Sequence, residues 1–542
     1  MRPSRRRGGR PRAALATAAV VAASGLLAGC ALAPSVHPVQ EQEFTTALAI
    51  PPLAPSRVVD GTRMFSLTAQ EGTTSFLPGV ETPTWGFDGS YLGPTLRAAR
   101  GERVAVEVTN DLDEPTSVHW HGMHLPAAMD GGPHQEVAPG ETWQPTWTID
   151  QPAATLWYHP HPHGATEEHV YRGLAGLFLL DDDASAAASL PSQYGVDDVP
   201  VVVQDKVLDD DGRLDLDGAG EPGILGDVVL TNGTVGAYHD VTTERVRLRL
   251  LNGSTARTYQ LGFADRAMDL VATDGGLLDA RVRLDQVRLA PGERAEVVVT
   301  MAPGETTRLH SSPADLGGVA ASFAMGGKEA FDVLELRAAN VLAPSPEPAW
   351  EPSSHAATDA LHAEDAAVER SFELADREIN GRRMDMGRID ETVTVGDTEV
   401  WTVRNAHPVP HSFHVHDVQF RVLDVDGDPP PAVLTGPKDT IYLEPSRTYR
   451  LLLRFDDYTD PDVPYMYHCH MLRHEDEGMM GQLVVVEPGG SAGEIPAHEG
   501  LAHEGASRES AAHDDAVPEP GSGPRRMPGA GPDDAGHGHH GG

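Results

Sequence analysis

Residues 99–110 read ARGERVAVEVTN. A polar turn leads into a stretch where Val104, Val106 and Val108 recur at every second position. That is the period at which side chains on a strand share one face. The phrase returns twice. Residues 241–252 read VTTERVRLRLLN, and residues 395–405 read VGDTEVWTVRN. Each version has a polar turn, an alternating strand and a closing asparagine: Asn110, Asn252 or Asn405. The repetition fits three related sandwich domains, although one common strand type used three times would also produce it.

Outward from these phrases, short strand-like runs broken by turns fill three regions, such as TWQPTWTI, DVPVVVQDKVL and TYRLLLRF. Amphipathic helical patterns are scarce. The reading is all-β, with three consecutive β-sandwich or barrel domains over residues 46–185, 196–342 and 370–488. Residues 343–369 form a Pro/Ala/acid-rich linker. Residues 489–542 are a Gly-, Pro- and acid-rich tail with scattered histidines, too polar to bury a core.

The chain has 542 residues, 40% of them apolar, with 81 acids against 41 bases and a net charge of −40. This balance argues against nucleic-acid binding through a basic footprint. Residues 1–29 place an arginine-rich stretch before an apolar run too short to span a bilayer, the pattern of an export leader. Leu27-Ala28-Gly29-Cys30 resembles a bacterial lipobox. That likeness implies a lipidated Cys30, a tether over residues 30–45, and a cell-envelope protein held to the outer side of the cytoplasmic membrane by lipid alone. Ordinary cleavage that leaves Cys30 incidental is the alternative. The only other cysteine, Cys469, stands between two histidines, so no disulfide is expected. A monomer is expected.

The 26 histidines are unevenly spread. Four clusters stand out: His119 and His121 in HWHG; His159, His161 and His163 in WYHPHPHG; His411, His414 and His416 in HSFHVH; and His468, His470 and His474 in HCHMLRHEDEGMM. The middle region has only His239 and His310, so the first and third domains must meet. On a strand, His468 and His470 share one face and Cys469 points to the other. Two metal centres on opposite sides of one strand follow. Two histidines, a cysteine and a weak methionine describe a blue-copper site, which Cys469, His474, Met479 and an upstream His411 would supply. Zinc fits less well, because structural zinc sites favour paired cysteines.

These four motifs in order resemble those of the multicopper oxidases, the family of laccases, bilirubin oxidases and copper-efflux oxidases. His468-Cys469-His470, His474 and Met479 meet the family pattern HCH-x3-H-x4-M. His411, His414 and His416 meet HPxHxH in spacing, with Ser412 in place of the proline. The likeness covers about residues 46–488 and implies three cupredoxin-like Greek-key domains and four copper ions. It implies a type 1 copper on His411, Cys469, His474 and Met479, and a type 2 copper on His119 and His416. The type 3 pair would take His121, His159, His161, His414, His468 and His470. It also places Asp130 near the type 2 copper and makes Glu475 a proton relay to the type 3 pair.

The activity implied is one-electron oxidation of a small donor coupled to reduction of dioxygen to water. Copper-efflux relatives carry a methionine-rich insert, but here the region of about 312–370 holds only Met325, and Val409 and His407 replace that group's cuprous ligands. Phenols, aromatic amines or bilirubin-like pigments are therefore the expected donors, with cuprous ion as the alternative. Some relatives have lost their coppers and serve as cell-division scaffolds. A copper-sequestering lipoprotein using the histidines of the tail is a third reading. Met384 and Met386 read as packing residues, with cuprous-ion binding near the type 1 copper as the alternative, and Met480 is open in the same way; His124, His134 and His169 read as loop or supporting residues.

Overall fold

The computed structural model describes residues 43–217, 220–348 and 361–495. The leader with Cys30, most of the tether, the centre of the 343–369 linker and the tail beyond 495 lie outside the described residues. Among the described residues no helix is long and apolar enough to cross a membrane.

The three repeated phrases form the same strand three times. Arg103–Asn110 runs parallel to Thr62–Thr74 and antiparallel to Thr142–Trp143 and Thr146–Thr148. Arg245–Asn252 runs parallel to Asp198–Lys206 and antiparallel to Arg294–Thr300. Thr398–Asn405 runs parallel to Val368–Ala375 and antiparallel to Thr448–Arg454. Each belongs to a sheet that faces a second sheet across its own apolar core. The fold is thus all-β, three cupredoxin-like sandwiches in succession. The segment Thr46–Ala47 leaves the first sandwich and adds in parallel to Ala237–Tyr238 of the middle one.

The closing asparagines explain the repeat. All three are fully buried. Each Oδ1 accepts the backbone N–H two residues on, from Leu112, Ser254 or His407 at 3.0, 3.0 and 2.9 Å. Each Nδ2 donates to a carbonyl four or five residues on, at Glu114, Arg257 or Val409. It also donates to a carbonyl far along the chain, at Val137, Leu289 or Leu443. Each asparagine N–H donates to the last residue of a PGE, PGE or PSR turn, at Glu141, Glu293 or Arg447. The middle residue of each turn is left-handed: Gly140, Gly292 and Ser446, with φ of 77°, 85° and 63°. An amide side chain supplies both donor and acceptor where an open loop would leave buried backbone groups unpaired.

The third sandwich places the histidine-rich strands side by side. His411–Val415 pairs antiparallel with Asp460–Cys469, with His414 opposite His468 and Phe413 opposite Cys469. Thr440–Leu443 pairs with its other edge, with His414 opposite Thr440.

Replacing Asn252 with alanine leaves the Ser254 N–H and the Arg257 and Leu289 carbonyls without this partner. The expected loss is on the order of 3 kcal/mol. Denaturant unfolding of the copper-free protein reads it; a loss below about 1 kcal/mol would show that the asparagine only marks the repeat.

Candidate metal centres

Alternation along Asp460–Cys469 divides the chemistry between two sides. On one side His411 Nδ1 lies 3.1 Å from His474 Nδ1, and Cys469 Sγ lies 3.5 and 3.7 Å from these nitrogens. Three atoms at separations of 3.1, 3.5 and 3.7 Å lie on a circle of radius about 2.0 Å, close to the nitrogen and sulfur bond lengths of a first-row metal ion. Burial pushes the Cys469 thiol up to about 12 and drops His411 to about 3. The imidazoles are therefore neutral, and the thiol ionises readily only beside a cation. Met479 is buried, and its backbone closes the loop: Cys469 N–H donates to its carbonyl at 3.0 Å, and its N–H donates to His474 O at 2.8 Å.

On the other side eight buried imidazoles converge: His119, His121, His159, His161, His414, His416, His468 and His470. They meet in pairs, one ring from the first sandwich and one from the third. His119 stacks on His416 at 3.8 Å between centroids, and His121 on His414 at 3.7 Å. Nε2 of His161 lies 3.2 Å from Nε2 of His468, and Nε2 of His159 lies 3.4 Å from that of His470. His416 Nε2 is also 3.3 Å from His468 Nε2.

The outward nitrogens decide what these contacts mean. Asp130 Oδ2 accepts from His416 Nδ1 at 2.7 Å, and the Asp130 carbonyl accepts from His119 Nδ1 at 3.1 Å. Glu475 lies 3.3 Å from His161 Nδ1 and 3.1 Å from His468 Nδ1. His159 Nδ1 donates to Pro160 O at 2.8 Å. The Asp439 carbonyl accepts from His414 Nδ1 at 2.9 Å, and Asp439 Oδ1 lies 3.1 Å from His121 Nε2. A carboxylate or carbonyl only accepts, so each of these outward nitrogens carries the proton. The inward nitrogen of a neutral ring then carries a lone pair. Burial, followed in most cases by neighbouring rings, drives His121, His159, His414, His416 and His470 well below the usual imidazole range and His161 to about 3. Lone pairs facing each other at 3.2 and 3.3 Å, between His468 and the rings of His161 and His416, repel unless a cation sits among them. The donor set fits metal ions.

The predicted acids fall at the cluster's edge. Asp130 touches the His119–His416 pair, and Glu475 touches the His161–His468 pair. Burial alone would raise the Glu475 carboxyl, but His161 and His468 hold it below the usual range. The neighbouring Asp476 accepts the Thr166 and Glu167 N–H groups at 2.8 and 2.9 Å, capping the first-sandwich helix Thr166–Arg172. HEDEG therefore packs a donor, a clamp and a cap into consecutive residues. His163 is exposed. His169 is buried between Thr116 and Glu114, at 3.0 and 2.8 Å, and serves the fold.

Sequence reasoning missed Asp439, Thr440 and Arg294. Thr440 Oγ1 lies 2.9 Å from His121 Nε2 and 3.1 Å from His414 Nδ1. Arg294 grips Asp439 through two bonds of 2.6 Å. A charged Lys438-Asp439 pair opening an apolar strand is the only signal in the sequence, and it is a weak one. The middle sandwich also brings Gly292, where an added Cβ would sit 3.0 Å from the His470 ring. Ser412, at the family's proline position, donates to Pro291 O at 2.9 Å.

Multicopper oxidase domain families match residues 68–185, 214–308 and 352–489. The multicopper oxidase of Staphylococcus epidermidis is 35% identical over 435 residues, 79% of this chain and 89% of that one. The cell division protein FtsP of Salmonella typhimurium is 36% identical over 451 residues, 81% and 92% of the two chains. The laccase-like multicopper oxidase CueO of Ochrobactrum sp. superposes with a TM-score of 0.73 at 34% identity, covering 81% of this chain and all of that one. With these matches over three domains and most of its length, the chain belongs to the multicopper oxidase family as a copper oxidoreductase.

Proposed function

We propose that the protein oxidises small organic donors one electron at a time and delivers four electrons to dioxygen, releasing two waters. The observation that carries this reading is the strand Asp460–Cys469 with the His470 that follows it, with a three-atom donor ring on one side and eight converging imidazoles on the other. His411, Cys469, His474 and Met479 would hold a type 1 copper, His119 and His416 a type 2 copper, and the six remaining histidines a type 3 pair, four ions in all. Copper bound there supplies one-electron redox chemistry and oxygen binding. The chain's own part is to position and to connect. Cys469 is bonded through the backbone to His468 and His470, so the electron path between the sides is covalent. Asp130 and Glu475 are the acids beside the cluster from which protons reach the reduced oxygen atoms.

Two observations favour an organic donor. Met325, the one methionine in the region of a methionine-rich insert, is buried in the core rather than presented for cuprous ion. The relative from Ochrobactrum is described as acting on lignin model compounds and lignosulfonate, which supports phenols or aromatic amines here. Cuprous oxidation is the second reading. A cell-division role, as in the FtsP relatives, is disfavoured because His411, Cys469 and His474 converge on one side and the eight imidazoles on the other. Export to the cell envelope, with lipid attachment at Cys30, completes the proposal.

Three measurements test it. Cys469→Ser is expected to abolish the blue absorption and dioxygen uptake together while the fold is kept; retained uptake with an easy donor sinks the reading. Glu475→Gln is expected to keep the blue absorption and slow dioxygen uptake on the order of 100-fold; an unchanged rate removes Glu475 from proton delivery. Met479→Leu replaces a thioether with a side chain that cannot bind the ion, and redox titration is expected to show a higher potential. A lower potential would mean that Met479 is not a ligand.

A further inference from the structure

Arg294 opens the strand Arg294–Thr300 of the middle sandwich, the one domain without a histidine cluster. Its side chain is fully buried. A guanidinium has five N–H donors in a fixed plane, and all five are used. Nε donates to Thr155 O at 2.9 Å in the first sandwich. Nη1 donates to Gly292 O at 3.1 Å, and Nη2 to Asp274 O at 3.0 Å, both in the middle sandwich. The two remaining N–H groups form the bidentate pair with Asp439 of the third sandwich, at 2.6 Å each.

Three of these partners support histidines of the cluster. Thr155 begins the strand Thr155–Tyr158 that runs into His159. Gly292 packs against the His470 ring. Asp439 lies against His121 and, through its carbonyl and Thr440, holds His414. His121 is the odd ring. It turns Nε2 to Asp439 and Thr440 and leaves Nδ1 without a protein partner, whereas His119, His414 and His416 turn Nδ1 outward. Unlike Asp130, Asp439 is gripped through both carboxylate oxygens by an arginine; that fixed carboxylate, with the Thr440 hydroxyl that donates to it at 2.8 Å, faces His121 Nε2 and matches its inverted orientation.

We infer that Arg294 is a positioning residue of the oxygen-reducing centre, through which the middle sandwich sets the rings of His121, His159, His414 and His470 by fixing Asp439, Thr155 and Gly292. The inference rests on the proposal that these histidines hold copper. It assigns the domain that has no histidine cluster a direct part in the site. Lysine cannot replace the fork, because one ammonium cannot make a bidentate pair and reach three carbonyls.

The test uses the full-length protein as wild type, Arg294→Met, Arg294→Lys and the double variant Arg294→Met with Asp439→Asn. Copper per chain, blue absorbance per chain, dioxygen uptake and thermal unfolding of the copper-free form are measured. Crystal structures of the copper-free wild type and double variant are compared at His121. All variants are expected to keep the blue absorbance, since His411, Cys469 and His474 are untouched. Arg294→Met is expected to lose copper from the histidine cluster and to slow dioxygen uptake on the order of 10–100-fold. The double variant removes the unpaired buried carboxylate, so its unfolding temperature is expected to recover while copper and uptake do not. Arg294→Lys is expected to fall between. If the double variant, or a folded Arg294→Met, shows wild-type copper and uptake, Arg294 is only a packing and charge-balancing residue and the inference fails. Should the wild type itself lack blue absorbance or uptake, the proposed function fails instead. The inference is then decided by whether the His121 ring of the double variant leaves its stack on His414 (support) or stays (refutation).

Discussion

An imidazole has two nitrogens, and only one can face a metal ion. The site depends on what holds the other. Here the outward nitrogens of His119, His159, His416 and His468 are tied to oxygen atoms that can only accept, and those of the His121–His414 pair to an acceptor reinforced by the Thr440 hydroxyl. Tautomer and ring direction are thereby set before any ion arrives. Without these clamps, buried neutral rings could satisfy one another by hydrogen bonds and close the space. With them, lone pairs oppose each other at 3.2 and 3.3 Å and the space stays suited to cations. Three carboxylates share the clamping. Asp130 serves His119 and His416, Glu475 serves His161 and His468, and Asp439 serves His121 and His414.

The second constraint is the strand's period of two. It separates Cys469 from His468 and His470 by the thickness of a single strand, so the two centres are neighbours in sequence and opposite in direction. Antiparallel pairing with His411–Val415 repeats the division, because His414 faces His468 while His411 joins Cys469. A one-residue slip would exchange the two sets. The buried asparagines guard against such a slip. Asn405 ties the end of its strand to Val409 and Leu443, on either side of the His411 strand.

Local chemistry was legible in the sequence. The i, i+2 histidines, the intervening cysteine and the triplicated strand phrase all act over a few residues, and strand geometry translates them directly. Asp130 and Glu475 were found only through resemblance, yet their neighbours in sequence are what place them. Asp439 and Arg294 were not legible. Arg294 reads as an ordinary surface charge in the alternating stretch ERAEVVV, and its partner lies 145 residues away. Neither period nor propensity carries information about a pairing between domains. Thr46–Ala47 escaped for the same reason: two residues donated to another domain's sheet edge leave no pattern.

The buried charges between the sandwiches favour correct docking more than they add stability. Arg249 pairs with Asp198 and Glu296, and its Nη1 donates to the Thr155 hydroxyl at 2.8 Å. That hydroxyl donates to Glu296 at 2.6 Å, while the Thr155 carbonyl takes a bond from Arg294. Lys438 of the third sandwich reaches Asp274 and Glu293 of the middle one at 2.8 and 3.1 Å. Apolar residues of the same volume could hold the interfaces equally well. An apolar contact tolerates sliding, however, whereas breaking a buried ion pair costs about 3–5 kcal/mol. Docking in any other register would break several pairs at once. A cluster that takes one ring of every pair from each of two domains needs placement within about half an ångström. A middle domain without a single donor histidine can supply that placement through its arginines, and the bonds to Thr155 and Asp439 are where it does so.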